Sequence, residues 1–244
     1  MSGPEATGQG AAGAEPRPAL KSDPLTDLAL TLPIFVLYHL GVAFLPIRNA
    51  ADPVTAELRA LASHNLALYA GLTVAIGAVF VVVIWVLGRG RAFEKKRFFL
   101  AAFEGVLYAV LMRFAGSYVV GSLRLGPPSL DGGPFAGLVM SMGAGFYEEV
   151  AFRAGLFGLG ALGIKLIFGK GLQGLLLMAG WAVVAAAVFS GWHYIGAMGD
   201  PWDVKSFIFR MVCGLVLTAI YAFRGFAPAV YTHALYDVWV LVLR

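Results

Sequence analysis

Seven apolar stretches, each about 17–24 residues long, constrain this chain more than any other feature of its sequence. They lie at 28–46, 66–88, 98–121, 135–157, 172–195, 207–223 and 226–243. A helix of about 20 apolar residues is long enough to cross the hydrocarbon core of a bilayer. The pattern therefore predicts an all-α, polytopic membrane helix bundle with seven transmembrane helices. The glycine-rich stretch 155–169 leaves open an eighth helix, either short or re-entrant.

The composition agrees with a membrane protein. Hydrophobic residues make up 59% of the chain and charged residues only 13%, whereas soluble domains carry about 25% charged residues. We predict one transmembrane domain at 28–244, with the lipid bilayer as its environment. The net charge of +4 is small, and no basic patch with interleaved aromatic residues occurs, so we expect no nucleic-acid partner.

The first 27 residues differ from the rest of the chain. They are rich in glycine, alanine, proline and glutamate and have no apolar periodicity. Such a composition cannot bury a core, so residues 1–27 are predicted to be a disordered polar tail. Cys213 is the only cysteine, which excludes an intrachain disulfide, and its apolar neighbours indicate a packing role.

Basic residues predict the orientation of the bundle. The loop 89–97 holds five of the eighteen lysines and arginines, and by the positive-inside rule it is cytoplasmic. With seven spans, the N-terminus, the loop 158–171 and Arg224 then lie on the same side, while 122–134 and 196–206 lie outside. The basic, alanine- and glycine-rich chain is typical of a bacterial protein. We therefore expect the bacterial cytoplasmic membrane.

Two adjacent carboxylates, Glu148 and Glu149, stand in the fourth apolar stretch. Charges at membrane depth are unfavourable and persist mainly where they pair or perform chemistry. Glu149 and Arg153 share a helix face at i, i+4, whereas Glu148 points about 100° away. Glu148 is thus the candidate general base. Gly143 and Gly145 would let a second helix or a substrate approach closely.

A purely structural reading of the two glutamates stays open. Both could brace the bundle through Arg153 and a second base, such as Arg113 in the third apolar stretch.

Two histidines and an aspartate add to the carboxylates downstream. His193 ends the fifth stretch, four residues after Phe189, and His233 shares a helix face with Asp237. A carboxylate that accepts a hydrogen bond from an imidazole fixes its tautomer and raises its basicity. The set suits hydrolysis by an activated water, or a zinc ion. His39 has no acidic neighbour at helical spacing and is interpreted as structural.

Three motifs in this order resemble one protein family. Glu-Glu-x-x-x-Arg at 148–153, Phe-x-x-x-His at 189–193 and His-x-x-x-Asp at 233–237 are similar to the CPBP family. This family contains CAAX-processing and bacteriocin-processing intramembrane endopeptidases, among them the Ras-converting CAAX endopeptidase. The resemblance covers about residues 135–243.

The resemblance implies a role for each motif residue. Glu148 would activate the water, assisted by His193, while His233 and Asp237 would stabilise the oxyanion or orient the substrate. The supporting residues would be Glu149, Arg153 and the packing residue Phe189. Many members have asparagine where this chain has Asp237, and an ionised aspartate cannot donate a hydrogen bond to an oxyanion.

The resemblance also implies the reaction and its partners. The expected substrate is a membrane-anchored protein or peptide, cleaved near its C-terminus by glutamate-activated water. No cofactor or metal is expected, although zinc is not excluded. The family does not fix the substrate class. Prenylated C-terminal tails are one class, whereas some bacterial members resemble myxobacterial sorting-type enzymes, which would remove a C-terminal membrane anchor. The sequence indicates no oligomeric state.

Two other classes of function stay open. One is a non-catalytic membrane scaffold or immunity factor, which would have no need of ionisable groups at membrane depth. The other is a proton- or cation-coupled transporter that relays protons through the same residues. The absence of an evident inverted repeat makes the transporter the weaker alternative.

Overall fold

The described part of the chain is entirely helical. The computed structural model describes residues 24–62, 65–89, 95–121, 133–196 and 199–243. These residues contain no strand. Their helices are α1 (Pro24–Val42), α2 (Pro53–Leu61), α3 (Leu66–Leu87), α4 (Lys95–Val120), α5 (Gly133–Gly143), α6 (Gly160–Phe168), α7 (Leu172–Trp192), α8 (Val204–Phe223) and α9 (Phe226–Val238). A π-helical segment, Ala144–Leu159, joins α5 to α6, and a short one, Trp239–Leu243, follows α9.

Seven helical segments of the described residues are long and apolar enough to cross a membrane, which confirms the predicted all-α membrane bundle. Their bounds differ from the predicted ones mainly at the ends. The short helix α2 was not predicted. It begins where Asp52 accepts a hydrogen bond from the backbone N–H of Thr55, and Pro53 fits the first helical position.

The possible eighth helix at 155–169 is a continuation of the fourth span. The helix from Gly133 to Phe168 has 36 residues. Its α-helical parts, of 11 and 9 residues, alone span about 30 Å at about 1.5 Å per residue, so with the 16-residue π-helical segment it exceeds the ~30 Å hydrocarbon core. The glycines at 155, 158, 160 and 163 do not break it, because none of them has a positive φ. Gly169, with φ 71°, follows its last residue. The described part therefore has seven spans rather than eight.

The first span begins at Pro24, before the predicted start at residue 28. Asp27 explains the earlier start, because this buried carboxylate accepts a hydrogen bond of 2.6 Å from the backbone N–H of Phe226 at the beginning of α9. The predicted disordered tail otherwise lies outside the described residues.

Helix α9 is the centre of the bundle. It packs against α1, α4, α5, α8 and the π-helical segment, and its residues from Ala227 to Ala234 are all buried. Helix α3 lies at the periphery and contacts α1 and α2. Most of its apolar side chains face outward, as expected for a helix in contact with lipid. The buried faces of α9 thus place His233 inside the protein.

Glycines bring the π-helical segment against its neighbours. A Cβ added at Gly145 would lie 2.6 Å from Cβ of Ala234 and 2.9 Å from the carbonyl oxygen of Val230, both in α9. One added at Gly143 would lie 2.4 Å from the ring of Tyr38 in α1. These contacts confirm that both glycines permit a close helix approach.

We expect Gly145→Ala to destabilise the protein by about 1–3 kcal/mol, because the added methyl group pushes α9 away from the π-helical segment. The matched control is Gly163→Ala in α6, where an added Cβ meets nothing within 4 Å. Thermal unfolding in detergent measures both variants. Equal unfolding temperatures for the two variants would contradict this packing account.

Candidate active site

Both adjacent glutamates lie in the π-helical segment and are buried, with relative exposures of 7% for Glu148 and 0% for Glu149. The widened turns of π-helices occur often at functional sites. Here the two side chains point to different partners. Glu149 faces Arg153 and α9, whereas Glu148 faces a cavity and the chain segment that follows α1.

Glu149 belongs to a buried charged cluster. Its Oε1 lies 3.0 Å from Nη1 of Arg153, as the i, i+4 spacing predicts, and Nδ1–H of His233 donates a 2.6 Å hydrogen bond to the same oxygen. Arg153 is fully buried, and its guanidinium lies 4.0 Å from the ring centroid of Phe189. Glu149 therefore orients His233 and is itself neutralised by Arg153.

Arg113, the second base considered from the sequence, does not complete this cluster. Its guanidinium lies 5.9 Å from the ring centroid of Phe209 in α8.

Glu148 stands between the two histidines. Its Oε2 lies 3.8 Å from Nε2 of His193 and 3.9 Å from Nε2 of His233. This oxygen has no hydrogen-bond partner among the described residues. Its Oε1 accepts a 2.9 Å hydrogen bond from Nδ2 of Asn49. Separations beyond 3.5 Å between polar groups are the distances that a water molecule bridges. Both separations from Oε2 of Glu148 fall in this range.

The ring of His193 is held by the helix that ends at it. Nδ1–H of His193 donates to the carbonyl oxygen of Phe189 at 3.0 Å, so in the neutral ring Nε2 carries the lone pair and faces Glu148. Partial burial lowers the pKa of His193 below its usual range, and the Glu148 carboxylate opposes this shift. The ring of Phe189 packs edge-on against both His193 and His233 and fixes their spacing.

Asp237 lies one turn after His233 in α9. Its Oδ2 is 3.7 Å from Nε2 of His233, and its side chain retains 21% exposure. The carboxylate therefore faces the same imidazole nitrogen as Glu148 does. Nε2 of His233 thus faces the carboxylates of Glu148 and Asp237, whereas Nδ1–H is hydrogen-bonded to Glu149.

A cavity of about 650 Å³ gives access to these residues. Its floor includes Glu148, His193, His233 and Asp237, and Cys213 of α8 lines its wall. Its exposed lining residues lie after α1 and around the end of α7 and the start of α8; they are Ala50, Trp192, Ile195, Asp200, Pro201 and Asp203. The cavity therefore opens where α7 finishes and α8 begins, beside the turn that follows α1.

The sequence alone places the two histidines at different membrane depths, with His193 near the outer edge and His233 nearer the inner face. The structure brings both within 4 Å of Glu148. The two histidines meet at Glu148 because α7, which ends just before His193, and α9, which carries His233, both pack against the π-helical segment. His39, interpreted as structural, is fully buried and its Nε2 lies 2.6 Å from the hydroxyl oxygen of Tyr147.

The described part of the chain contains no dedicated set of metal ligands. No group of three histidine, cysteine, aspartate or glutamate side chains there is arranged to hold a metal ion. The prediction of metal-free chemistry remains a prediction.

The fold and the site together define an integral membrane protein with a buried glutamate–histidine centre. Residues 131–239 match the family described as type II CAAX prenyl endopeptidase Rce1-like. This match confirms the resemblance drawn from the three motifs. It supports a CAAX-type intramembrane protease, a hydrolase that acts on peptide or protein substrates. No curated protein and no solved structure matches the chain.

Proposed function

We propose that this protein is a glutamic intramembrane endopeptidase in which Glu148 activates a water molecule. The observation that carries the proposal is the position of Oε2 of Glu148, 3.8 and 3.9 Å from the facing nitrogens of His193 and His233. A water between these atoms would donate one proton to Glu148 and one hydrogen bond to Nε2 of neutral His193. Its oxygen would then be directed at the substrate carbonyl.

The reaction balances with the residues present. Glu148 takes a proton as the water oxygen bonds to the carbonyl carbon, and a tetrahedral oxyanion forms. The same proton passes to the amide nitrogen when the carbon–nitrogen bond breaks, which releases an amine and a new carboxylate. His233, when protonated, donates from Nδ1 to Glu149 and presents Nε2–H to the oxyanion.

Asp237 acts through His233 in this proposal. An ionised carboxylate 3.7 Å from Nε2 favours the charged imidazole that the oxyanion needs, without having to donate a hydrogen bond itself. This role accounts for aspartate at a position where many family members have asparagine. Glu149, Arg153 and Phe189 support the site by holding His233 and His193 in place.

The proposed substrate is a membrane-anchored protein or peptide, cleaved near its C-terminus on the outer side of the bacterial cytoplasmic membrane. Helix α8 begins beside the cavity and ends next to Arg224, so the cavity lies away from that basic turn. The ion pair between Arg224 and Glu104 of α4 places the start of α4, with Lys96, on the side of Arg224. The positive-inside rule assigns that side, and the N-terminus, to the cytoplasm.

Cleavage assays in proteoliposomes test the proposed reaction. Two peptides serve as substrates: one carries a C-terminal transmembrane anchor, and the other a prenylated CAAX tail. We expect the anchored peptide to be cut, with a chelator present or absent, and the products to be identified by mass spectrometry. Cleavage of neither peptide would contradict an endopeptidase. Cleavage of the prenylated peptide alone would show that the anchor recognised is a prenyl group and would contradict a transmembrane anchor. Loss of cleavage with the chelator would contradict metal-free chemistry.

An introduced cysteine tests the side on which the cavity opens. Ile195 lines the cavity and is 69% exposed, whereas Cys213, the only cysteine of the sequence, is buried. In a Cys213→Ser background, we expect a membrane-impermeant thiol reagent to label Ile195→Cys in cells whose outer envelope has been made permeable. Cys213→Ser alone is the matched control. Labelling of Ile195→Cys only in inverted vesicles would contradict the proposed orientation.

A further inference from the structure

Asn49 stands out because it touches the candidate base from outside the segment that matches the family. The match covers residues 131–239, whereas Asn49 follows α1. Its side chain is buried, with 5% relative exposure, and its Nδ2 donates to Oε1 of Glu148 at 2.9 Å. Asn49 also lines the cavity. The first part of the chain thus reaches the reactive centre through this residue.

The orientation of the Asn49 amide is fixed by its own turn. The backbone N–H of Ala51 donates to Oδ1 of Asn49 at 2.8 Å. Since Oδ1 is the acceptor for this bond, the NH₂ group must be the end that faces Glu148. A donor is therefore aimed at one oxygen of the carboxylate, and the other oxygen is left for the two histidines.

The backbone of Asn49 is held as firmly as its side chain. Its N–H donates to the hydroxyl of Tyr38 at 3.0 Å, and that hydroxyl donates to Oδ2 of Asp52 at 2.7 Å. Oδ1 of Asp52 accepts from the backbone N–H of Thr55 and so caps α2. The ring of Tyr38 packs against Gly143, just before the π-helical segment. These hydrogen bonds hold the turn that contains Asn49 against the end of α1 and the start of α2.

We propose that Asn49 is a positioning residue for the base. By holding Oε1 of Glu148 it directs Oε2 toward His193 and His233, where the water would bind. The inference rests on the proposed function of Glu148, and it assigns a task in the site to a part of the chain beyond the family segment. Asn49 acts through Glu148 and is not expected to contact the scissile bond.

Asn49→Asp tests the positioning role, because aspartate keeps the acceptor for Ala51, and an ionised aspartate replaces the donor to Glu148 with a carboxylate that repels it. We expect kcat to fall by about 10–100-fold, as for other residues that orient a reacting group, with KM little changed. The matched control is Asn65→Asp, since Asn65 caps α3 through its side-chain oxygen and aspartate preserves that bond. An unchanged kcat in Asn49→Asp, or an equal loss in Asn65→Asp, would overturn the proposal.

A double-mutant cycle tests the contact independently of activity. The unfolding temperatures of Asn49→Leu, Glu148→Leu and the double variant are compared with that of the wild type. We expect the double variant to lose less than the sum of the two single losses, and additive losses would overturn the proposal. If the cycle shows coupling but the wild type cleaves no peptide, the proposed protease fails while the Asn49–Glu148 contact stands. The two failures are thus distinguishable.

Discussion

Glu148→Gln is expected to lower the turnover number by about 10²–10⁴-fold, because a neutral amide cannot take a proton from water. Glutamine has nearly the same shape, and its side-chain oxygen can still accept the hydrogen bond that Asn49 donates to Oε1 of Glu148. The folded structure should therefore persist, with an unfolding temperature close to that of the wild type. Cleavage of the anchored peptide by purified protein in proteoliposomes gives the rate.

The matched control for this change is Glu57→Gln, the same substitution at an exposed position of α2. It should leave both the turnover number and the unfolding temperature unchanged. If Glu148→Gln retained wild-type turnover, Glu148 would not be the base. The protein would then be better explained as a scaffold or a transporter.

The second large effect concerns stability rather than turnover. Arg153→Met is expected to destabilise the protein by about 3–5 kcal/mol, because it leaves the fully buried Glu149 without its charged partner. The change also removes the guanidinium from the ring of Phe189. Thermal unfolding monitored by circular dichroism measures the loss, and the variant should unfold well below Glu148→Gln.

A companion variant separates the charge from the packing. Combining Arg153→Met with Glu149→Gln removes both charges of the pair, so the double variant should be more stable than Arg153→Met alone. A double variant that is less stable than the single one would show that the charge pair is not the source of the loss.

The spans and the pairing of the glutamates could be predicted from the sequence, because both depend on local spacing. An apolar run of fixed length defines a span, and i, i+4 spacing places Glu149 beside Arg153. The same spacing leaves Glu148 unpaired by Arg153, and in the structure it contacts Asn49 instead. These features need no knowledge of how the helices pack.

The convergence of the histidines could not be predicted in this way. It depends on how α7 and α9 pack against the π-helical segment. The helix from Gly133 to Phe168 is also longer than the stretch 135–157 predicted from the sequence. The glycines there suggested a break, but continuous helical packing overrides that local preference. The link from Glu149 to His233 joins residues 84 positions apart, and no periodicity in the sequence signals such a contact.

Asn49 was missed for a related reason. A single asparagine between two spans is a common turn residue, and nothing in its spacing connects it to Glu148. Two hydrogen bonds hold this segment against the bundle: the backbone N–H of Asn49 donates to the hydroxyl of Tyr38, and that hydroxyl donates to Asp52. A buried polar residue next to a span is the one signal that could have indicated it, and burial is visible only in the structure.

The most direct measurement compares membrane-protein C-termini, by mass spectrometry, in cells that carry the wild type or Glu148→Gln at equal abundance. The account predicts that a defined set of C-terminal tails stays unprocessed only in the variant. Those tails would belong to proteins anchored at the outer face of the membrane. Identical C-terminal profiles, with both proteins present in the membrane, would contradict a protease that depends on Glu148.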